Sequence, residues 1–295
     1  MEIKYLKNSE IDRSKWDACI NASLQQLPYG YSWYLDAAAD HWDAIVLGDY
    51  AAVFPLPLKK KWGVRYVYPP FFIQQLGLFS SQKLELTDAV LNEATKHFKF
   101  IELYLNFDNQ CSLSVVPRNN FELNLIDLQQ TYSENTRRNI KKAEGLQLKI
   151  QKASSAKNII ELFRKGRGAQ VKTLDNSDYK RFEKIVYACE KRSAIEHYEV
   201  HTAQGCCAGA CLLKTEGRVV FIFSGNSDEG KKSGAMHYLI DSMINEYAGK
   251  PMIFDFEGSN DENLARFYQS FGAKNTPYSF VKINYLPFAL NLMKG

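Results

Sequence analysis

The stretch from Pro251 to Asn284 constrains this chain most, because it joins strand, turn and helix signals in one short run. It opens on the apolar Met252-Ile253-Phe254, which passes directly into Asp255-Phe256-Glu257, and Gly258, Ser259 and Asn260 then break it. Leu264, Phe267, Tyr268 and Phe271 recur at spacings of three and four, the period of one helical face. Gly272 stands where a helix can end on a left-handed residue without steric cost. Tyr278 to Ile283 alternates as a strand does, and is read as the strand that closes this half of the chain. Along the first strand Asp255 and Glu257 share one face while Phe256 takes the other. Carboxylates at the carboxyl end of a strand, beside a helix start, sit where open α/β sheets place their ligands.

The bounds set by composition are broad. A chain of 295 residues, 45% hydrophobic, is long enough for two domains. Six Cys residues lie scattered with no C-x-x-C pair; Cys206, Cys207 and Cys211 fall in a small-residue strand and read as buried free thiols. The five His residues are far apart, so no metal site is expected. The polar, charged start is not a signal peptide, and no apolar run approaches the ~18 residues a membrane span needs. The expectation is a cytoplasmic protein in a reducing setting, with no membrane partner.

Net charge is +4 but unevenly spread. Residues 1–130 hold 12 Lys+Arg against 15 Asp+Glu, and residues 131–295 hold 25 against 18. Arg137 to Lys172 carries 11 basic residues against Glu144 and Glu161. This predicts two domains, 1–130 and 131–295, and an anionic partner near the start of the second. A solvated helix face is the other reading. Ser133 is a good N-cap and Gly145 a good stop for a linking helix. Its narrow apolar stripe is Thr136, Ile140 and Ala143, which leaves Arg137, Arg138, Lys141 and Lys142 for solvent or for a ligand's phosphate or carboxylate.

Each half then runs in a similar order. The first reads as two helices, a strand meander, a helix from Gln82 to Lys99 and a strand from Phe100 to Leu105. The second reads as a strand, two helices, three strands over residues 194–224, a helix from Ser233 to Tyr247, and the Pro251–Asn284 unit.

Phe267-Tyr268-Gln269-Ser270-Phe271-Gly272 resembles the aromatic-Tyr-x-x-apolar-Gly segment that closes the GNAT acyltransferase core. Asp255-Phe256-Glu257-Gly258-Ser259, the end Ile283-Asn284-Tyr285-Leu286-Pro287 and the linking Ser133-Glu134-Asn135-Thr136-Arg137-Arg138-Asn139-Ile140 are more similar still to the Fem-type peptidyltransferases, which carry tandem GNAT-like domains. The resemblance implies an α/β chain with mixed sheets and two tandem GNAT-like domains, the first without a cofactor site of its own. It departs from the family in having Asp261 where the family has Asn, and Ala273 after the Gly where the family has Phe.

What the resemblance implies for chemistry is attack by an amine on a thioester or ester carbonyl, with a base for the ammonium and an acid for the leaving group. Asp255 and Glu257 are the candidate bases and Tyr268 the candidate acid; Tyr268 also reads as a core aromatic on a helical stripe. The acyl-coenzyme A loop is expected at Asp228–Ala235, where Gly230, Lys231, Lys232, Ser233, Gly234 and Ala235 would hold the pyrophosphate at a helix start. Of the family's three defining loop positions only Gly234 is kept. The donor is acetyl-coenzyme A or another acyl-coenzyme A. Aminoacyl-tRNA is the alternative, favoured by the Fem resemblance and the basic stretch, with Arg137, Arg138 and Lys141 as substrate-binding residues. Against it, no segment matches the long helical arm of Fem-type enzymes. The acceptor is a small-molecule or peptide amine, and the oligomeric state is open. A non-catalytic binding protein on a degenerate GNAT scaffold is the competing function.

Overall fold

The computed structural model describes residues 1–126, 128, 131–171, 174–258 and 260–287. Gln130 at the expected domain boundary, Lys172 at the end of the basic stretch and Ser259 in the turn after Glu257 lie outside the described residues. The chain forms two compact units: residues 1–118 with the C-terminal segment from Pro277, and residues 119–276.

The first unit starts with β1 (Ile3–Leu6) and α1 (Arg13–Ala22), whose N-cap Asp12 accepts hydrogen bonds from the Ser14 and Lys15 N–H groups. α2 (Ser32–Ala38) leads into the meander β2 (His41–Leu47), β3 (Ala52–Lys61) and β4 (Val64–Val67). β5 (Phe79–Ser80), α3 (Thr87–His97), β6 (Phe100–Leu105) and β7 (Val115–Arg118) follow. β2 and β3 are buried on both faces along most of their length, which accounts for their near-continuous apolar sequence.

The second unit starts with β8 (Phe121–Asn124) and α4 (Glu134–Gly145), then β9 (Lys149–Ala153), α5 (Lys157–Lys165) and α6 (Asn176–Glu190). β10 (Ile195–Thr202), β11 (Gly205–Lys214) and β12 (Arg218–Asn226) form an antiparallel meander. α7 (Asp228–Ser233), α8 (Ala235–Tyr247), β13 (Ile253–Asp255), α9 (Glu262–Gln269) and β14 (Lys274–Asn275) complete it. The sheet order is β14-β8-β13-β12-β11-β10-β9. Within it β12 and β13 are parallel, and their pairing stops at Val220 and Asp255 although β12 runs on to Asn226. The core gathers Leu239, Ile240, Met243 and Ile244 of α8, Ile140 and Ala143 of α4, and the aromatic rings of Phe254, Phe256, Tyr268 and Phe271.

The last strand, β15 (Tyr278–Asn284), corrects the sequence expectation. It does not close the second sheet. It pairs antiparallel with β6 and β7, so that the first sheet runs β1-β2-β3-β4-β6-β15-β7 with β5 on β3. The place beside β13 is taken by β8, antiparallel to it. The two halves thus exchange one strand each, and the units meet at residues 118/119 and 276/277 where 130/131 was expected. Alternation identifies a strand but not its partner, and β15 satisfies its ladder over six residue pairs with β6. The helix expected from Ser233 to Tyr247 is α8, starting at Ala235, and a short helix, α7, precedes it where a loop was expected, the two separated by Gly234 with φ 77°. Among the described residues no helix is long and apolar enough to cross a membrane, and all six cysteines are free thiols.

Candidate active site at the end of β13

Asp255 closes β13 with no exposed surface. From the start of the neighbouring β12, Arg218 Nη1 donates to Asp255 Oδ2 at 2.7 Å and to Glu122 Oε1 of β8 at 2.5 Å. Two carboxylates thus share one guanidinium in the interior. Burial, with the Glu122 charge adding to it, outweighs the lowering effect of Arg218 and pushes the Asp255 carboxyl up to about 6. Burial also disfavours the Arg218 cation, but the two carboxylates more than offset this and raise its pKa.

Glu257 lies two residues on, half-buried, with φ 61°. Its N–H donates to Asp255 Oδ1 at 2.8 Å and its carbonyl accepts from the Phe121 N–H at 3.2 Å. These two bonds hold a left-handed backbone that costs a side-chain-bearing residue roughly 1–2 kcal/mol. Such strain, held by its surroundings, is concentrated at functional sites. Both Asp255 oxygens are engaged, so Asp255 orients the strand end.

Asp261 starts α9 by accepting from the Asn263 and Leu264 N–H groups. The helix carries Tyr268 back over the strand end, its ring 4.9 Å from that of Phe256. Tyr268 is buried, and burial first, then the charges of Glu257 and Asp255, raises its phenol so that it keeps its proton. Gly272, at φ 84°, ends the turn after α9, as its position in the sequence predicts. The structure therefore brings Asp255, Glu257 and Tyr268 together. Sequence reasoning missed Arg218 and Glu122, which come from two other strands and have no local signature.

Residues 228–235 are arranged differently from the expected loop. Asp228–Ser233 is a helical turn and a half, capped by Ser227, whose hydroxyl accepts from the Gly230 N–H at 3.0 Å. Asp228 and Glu229 lie in its first turn, and Lys231 is paired with Asp228 at 2.9 Å. The buried Ser233 hydroxyl donates back to the Gly230 carbonyl, Lys232 is exposed, and Ala235 is buried. A Cβ on Gly230 would lie 2.2 Å from Asn226 Oδ1 and 2.4 Å from the Cys207 carbonyl; one on Gly234 would lie 2.4 Å from the Asn139 carbonyl. Both glycines admit the protein's own backbone at close range. With carboxylates in the first turn and α4 against the start of α8, these residues do not fit a pyrophosphate.

α4 matches its expected pattern closely. Ser133 caps it, Thr136, Ile140 and Ala143 are buried, and Arg137, Arg138, Lys141 and Lys142 are exposed. Arg138 Nη2 is held by Asn135 Oδ1 at 3.0 Å. The buried stripe of α4 packs on α8, which turns the cationic face outward.

Residues 130–267 match the family described as "Acetyltransferase (GNAT) domain". No curated protein matches the chain. Among solved structures the chain is similar to FemX, at 12% identity and TM-score 0.69, with 99% of both chains covered. It is similar to L-PGS from Bacillus licheniformis at 10% identity and TM-score 0.58, covering 96% of this chain and 95% of that one. A tandem GNAT protein from the clavulanic acid biosynthesis pathway matches at 9% identity and TM-score 0.55, covering 97% and 99%. Residues 130–267 thus match a GNAT acetyltransferase domain, and the chain as a whole shares its fold with FemX and a tandem GNAT protein.

Proposed function

We propose that the second unit is an N-acyltransferase that passes an aminoacyl group from a tRNA ester to an amine acceptor at the end of β13. The carrying observation is the convergence of Glu257 and Tyr268 on a strand end fixed by Asp255, Arg218 and Glu122. In this reading the Glu257 carboxylate takes one proton from the acceptor ammonium, the freed amine attacks the carbonyl, the protonated Tyr268 phenol donates to the departing oxygen as the ester C–O bond breaks, and the second proton lost from the nitrogen restores the phenol. Proton transfer by a positioned group of this kind typically contributes 10²–10⁴-fold.

The choice of donor rests on charge. Acyl-coenzyme A, the donor GNAT domains ordinarily imply, would place its pyrophosphate at residues 228–235, where Asp228 and Glu229 oppose it. The exposed cations of α4, Arg137, Arg138, Lys141 and Lys142, instead suit a polyanion. The same misfit favours the second reading, a binding protein on a GNAT scaffold that has lost its donor.

Two measurements separate these. Thermal melts with millimolar coenzyme A or acetyl-coenzyme A should show no stabilisation, whereas a donor at 100 times its dissociation constant would add about 2.7 kcal/mol. Charged tRNA should bind with an affinity that falls steeply with salt, and replacing the four α4 cations by Gln should flatten that dependence. A stabilising shift with coenzyme A, or no tRNA binding at low salt, would overturn the donor assignment.

A further inference from the structure

The far end of the β10–β11 hairpin gathers side chains that the acyl-transfer site does not use. Glu199 and His201 project from the same face of β10, spaced by two, and Cys206 lies opposite His201 on β11, next to a register shift between Val200 and His201. One ligand atom from each of the three lies within 4.8 Å of the others. Gln151 of β9, opposite Glu199 in the ladder, completes the group. Three adjacent strands thus deliver sulfur, imidazole nitrogen, carboxylate oxygen and an amide to one spot.

Two contacts converge on one ring nitrogen of His201, and either a turned-over Gln151 amide or a bound cation reconciles them. His201 Nε2 is 2.8 Å from Glu199 Oε2 and 2.9 Å from Gln151 Nε2. A single ring nitrogen either donates or accepts. If it accepts from the Gln151 amide, its lone pair faces the Glu199 carboxylate. If it donates to Glu199, its hydrogen and those of the amide face each other until the amide turns over. A cation between these atoms removes the conflict: nitrogen and carboxylate both point lone pairs at it, and the turned amide offers its oxygen. Glu199 is only 3% exposed, and its other oxygen accepts from Asn158 Nδ2 of α5 at 3.1 Å. That bond is the outer-shell partner that fixes a ligating carboxylate.

We propose that Glu199, His201 and Cys206 form a zinc-type divalent metal site, with the Gln151 amide oxygen or a water as the fourth ligand. Thiolate and imidazole donors select Zn²⁺ over the hard Ca²⁺ and Mg²⁺. Tetrahedral zinc with bonds of about 2.0–2.3 Å sets its ligand atoms roughly 3.3–3.8 Å apart, so the widest pair would close by at most about 1.5 Å while His201 and Glu199, at 2.8 Å, would part by about 0.5 Å. Binding releases the Cys206 thiol proton to solvent. The Ser227 N–H bonds the Cys207 carbonyl at 2.9 Å, so the ion would also brace the start of α7.

The test uses the full chain, stripped with chelator under a phosphine reductant. Titration with Zn²⁺ by calorimetry should give one ion per chain, and Co²⁺ should produce a thiolate-to-metal charge-transfer absorption. Cys206→Ser should abolish that absorption, His201→Gln should weaken Zn²⁺ at least tenfold, and Cys111→Ser in the first unit should leave both unchanged. Absence of Zn²⁺ binding in the unmodified chain, or a charge-transfer band that survives Cys206→Ser or vanishes with Cys111→Ser, overturns the assignment. If Cys206→Ser does not fold, His201→Gln decides it: unchanged Zn²⁺ affinity there overturns the site.

Discussion

Replacing Arg218 by Met tests whether the strand end is held by charge. Met occupies a similar volume and adapts to irregular space, so packing is largely kept while the guanidinium is lost. Asp255, with no exposure, and Glu122, whose side chain is 14% exposed, are then left without their cation. Breaking a buried pair from one side typically costs 3–5 kcal/mol. A carboxyl can escape by taking a proton, which at pH 7 costs about 1.36 kcal/mol for each unit between its free pKa and the solution pH. The pH dependence has a definite sign. In the unmodified chain the Asp255 carboxyl is raised to about 6, so the folded state binds more protons than the unfolded one only at lower pH. Its stability therefore gains from protonation as pH falls through that value. A variant carboxyl that holds its proton to higher pH gains more than the unmodified chain between pH 7 and pH 6, the difference reaching about 1 kcal/mol. Urea denaturation at the two pH values should show a deficit of roughly 3–5 kcal/mol that narrows on acidification. A deficit below about 1 kcal/mol, or one that widens as pH falls, would refute the triad as the clamp on β13.

Other substitutions probe neighbouring claims. Gly234→Ala combines a left-handed φ of 77° with a Cβ 2.4 Å from the Asn139 carbonyl. It should cost about 3 kcal/mol in a melt, the sum of roughly 1–2 for the backbone and 1–3 for moving α4; a loss under about 1 kcal/mol would show that α4 does not press on the start of α8. Glu257→Gly frees the strained backbone at φ 61°, so stability should hold or rise by up to about 1 kcal/mol while aminoacyl transfer falls by about 10²–10⁴. Retained transfer would remove Glu257 from the chemistry.

Local pattern carried much of this architecture and long-range pairing carried the rest. The buried stripe of α4 was legible because Thr136, Ile140 and Ala143 lie at helical spacing within one element. The strand-turn-helix unit around Asp255 and Tyr268 was legible for the same reason, and the GNAT resemblance rested on it. The sheet that takes β15 was not legible, because alternation carries no information about the partner strand. Arg218 and Glu122 were missed since each is one charged residue at a strand end, meaningful only once β8, β13 and β12 lie side by side. Asp228–Ser233 reads as a loop because DEGKKS has no apolar period; it is helical through its Ser227 cap and the turn at Gly234. The Glu199, His201 and Cys206 group escaped a search by linear spacing, since the hairpin register is what sets Cys206 opposite His201.

Transfer of a labelled aminoacyl group from tRNA to an amine panel, by the unmodified chain and by Tyr268→Phe, tests the central claim most directly. The Phe ring keeps the packing against Phe256 and removes only the phenol proton. The account predicts transfer by the unmodified chain, and a Tyr268→Phe variant that melts within about 1 kcal/mol of it yet turns over 10²–10⁴-fold more slowly. No transfer by the unmodified chain would contradict the enzyme reading in favour of a binding protein, and full turnover in Tyr268→Phe would contradict the acid at the end of β13.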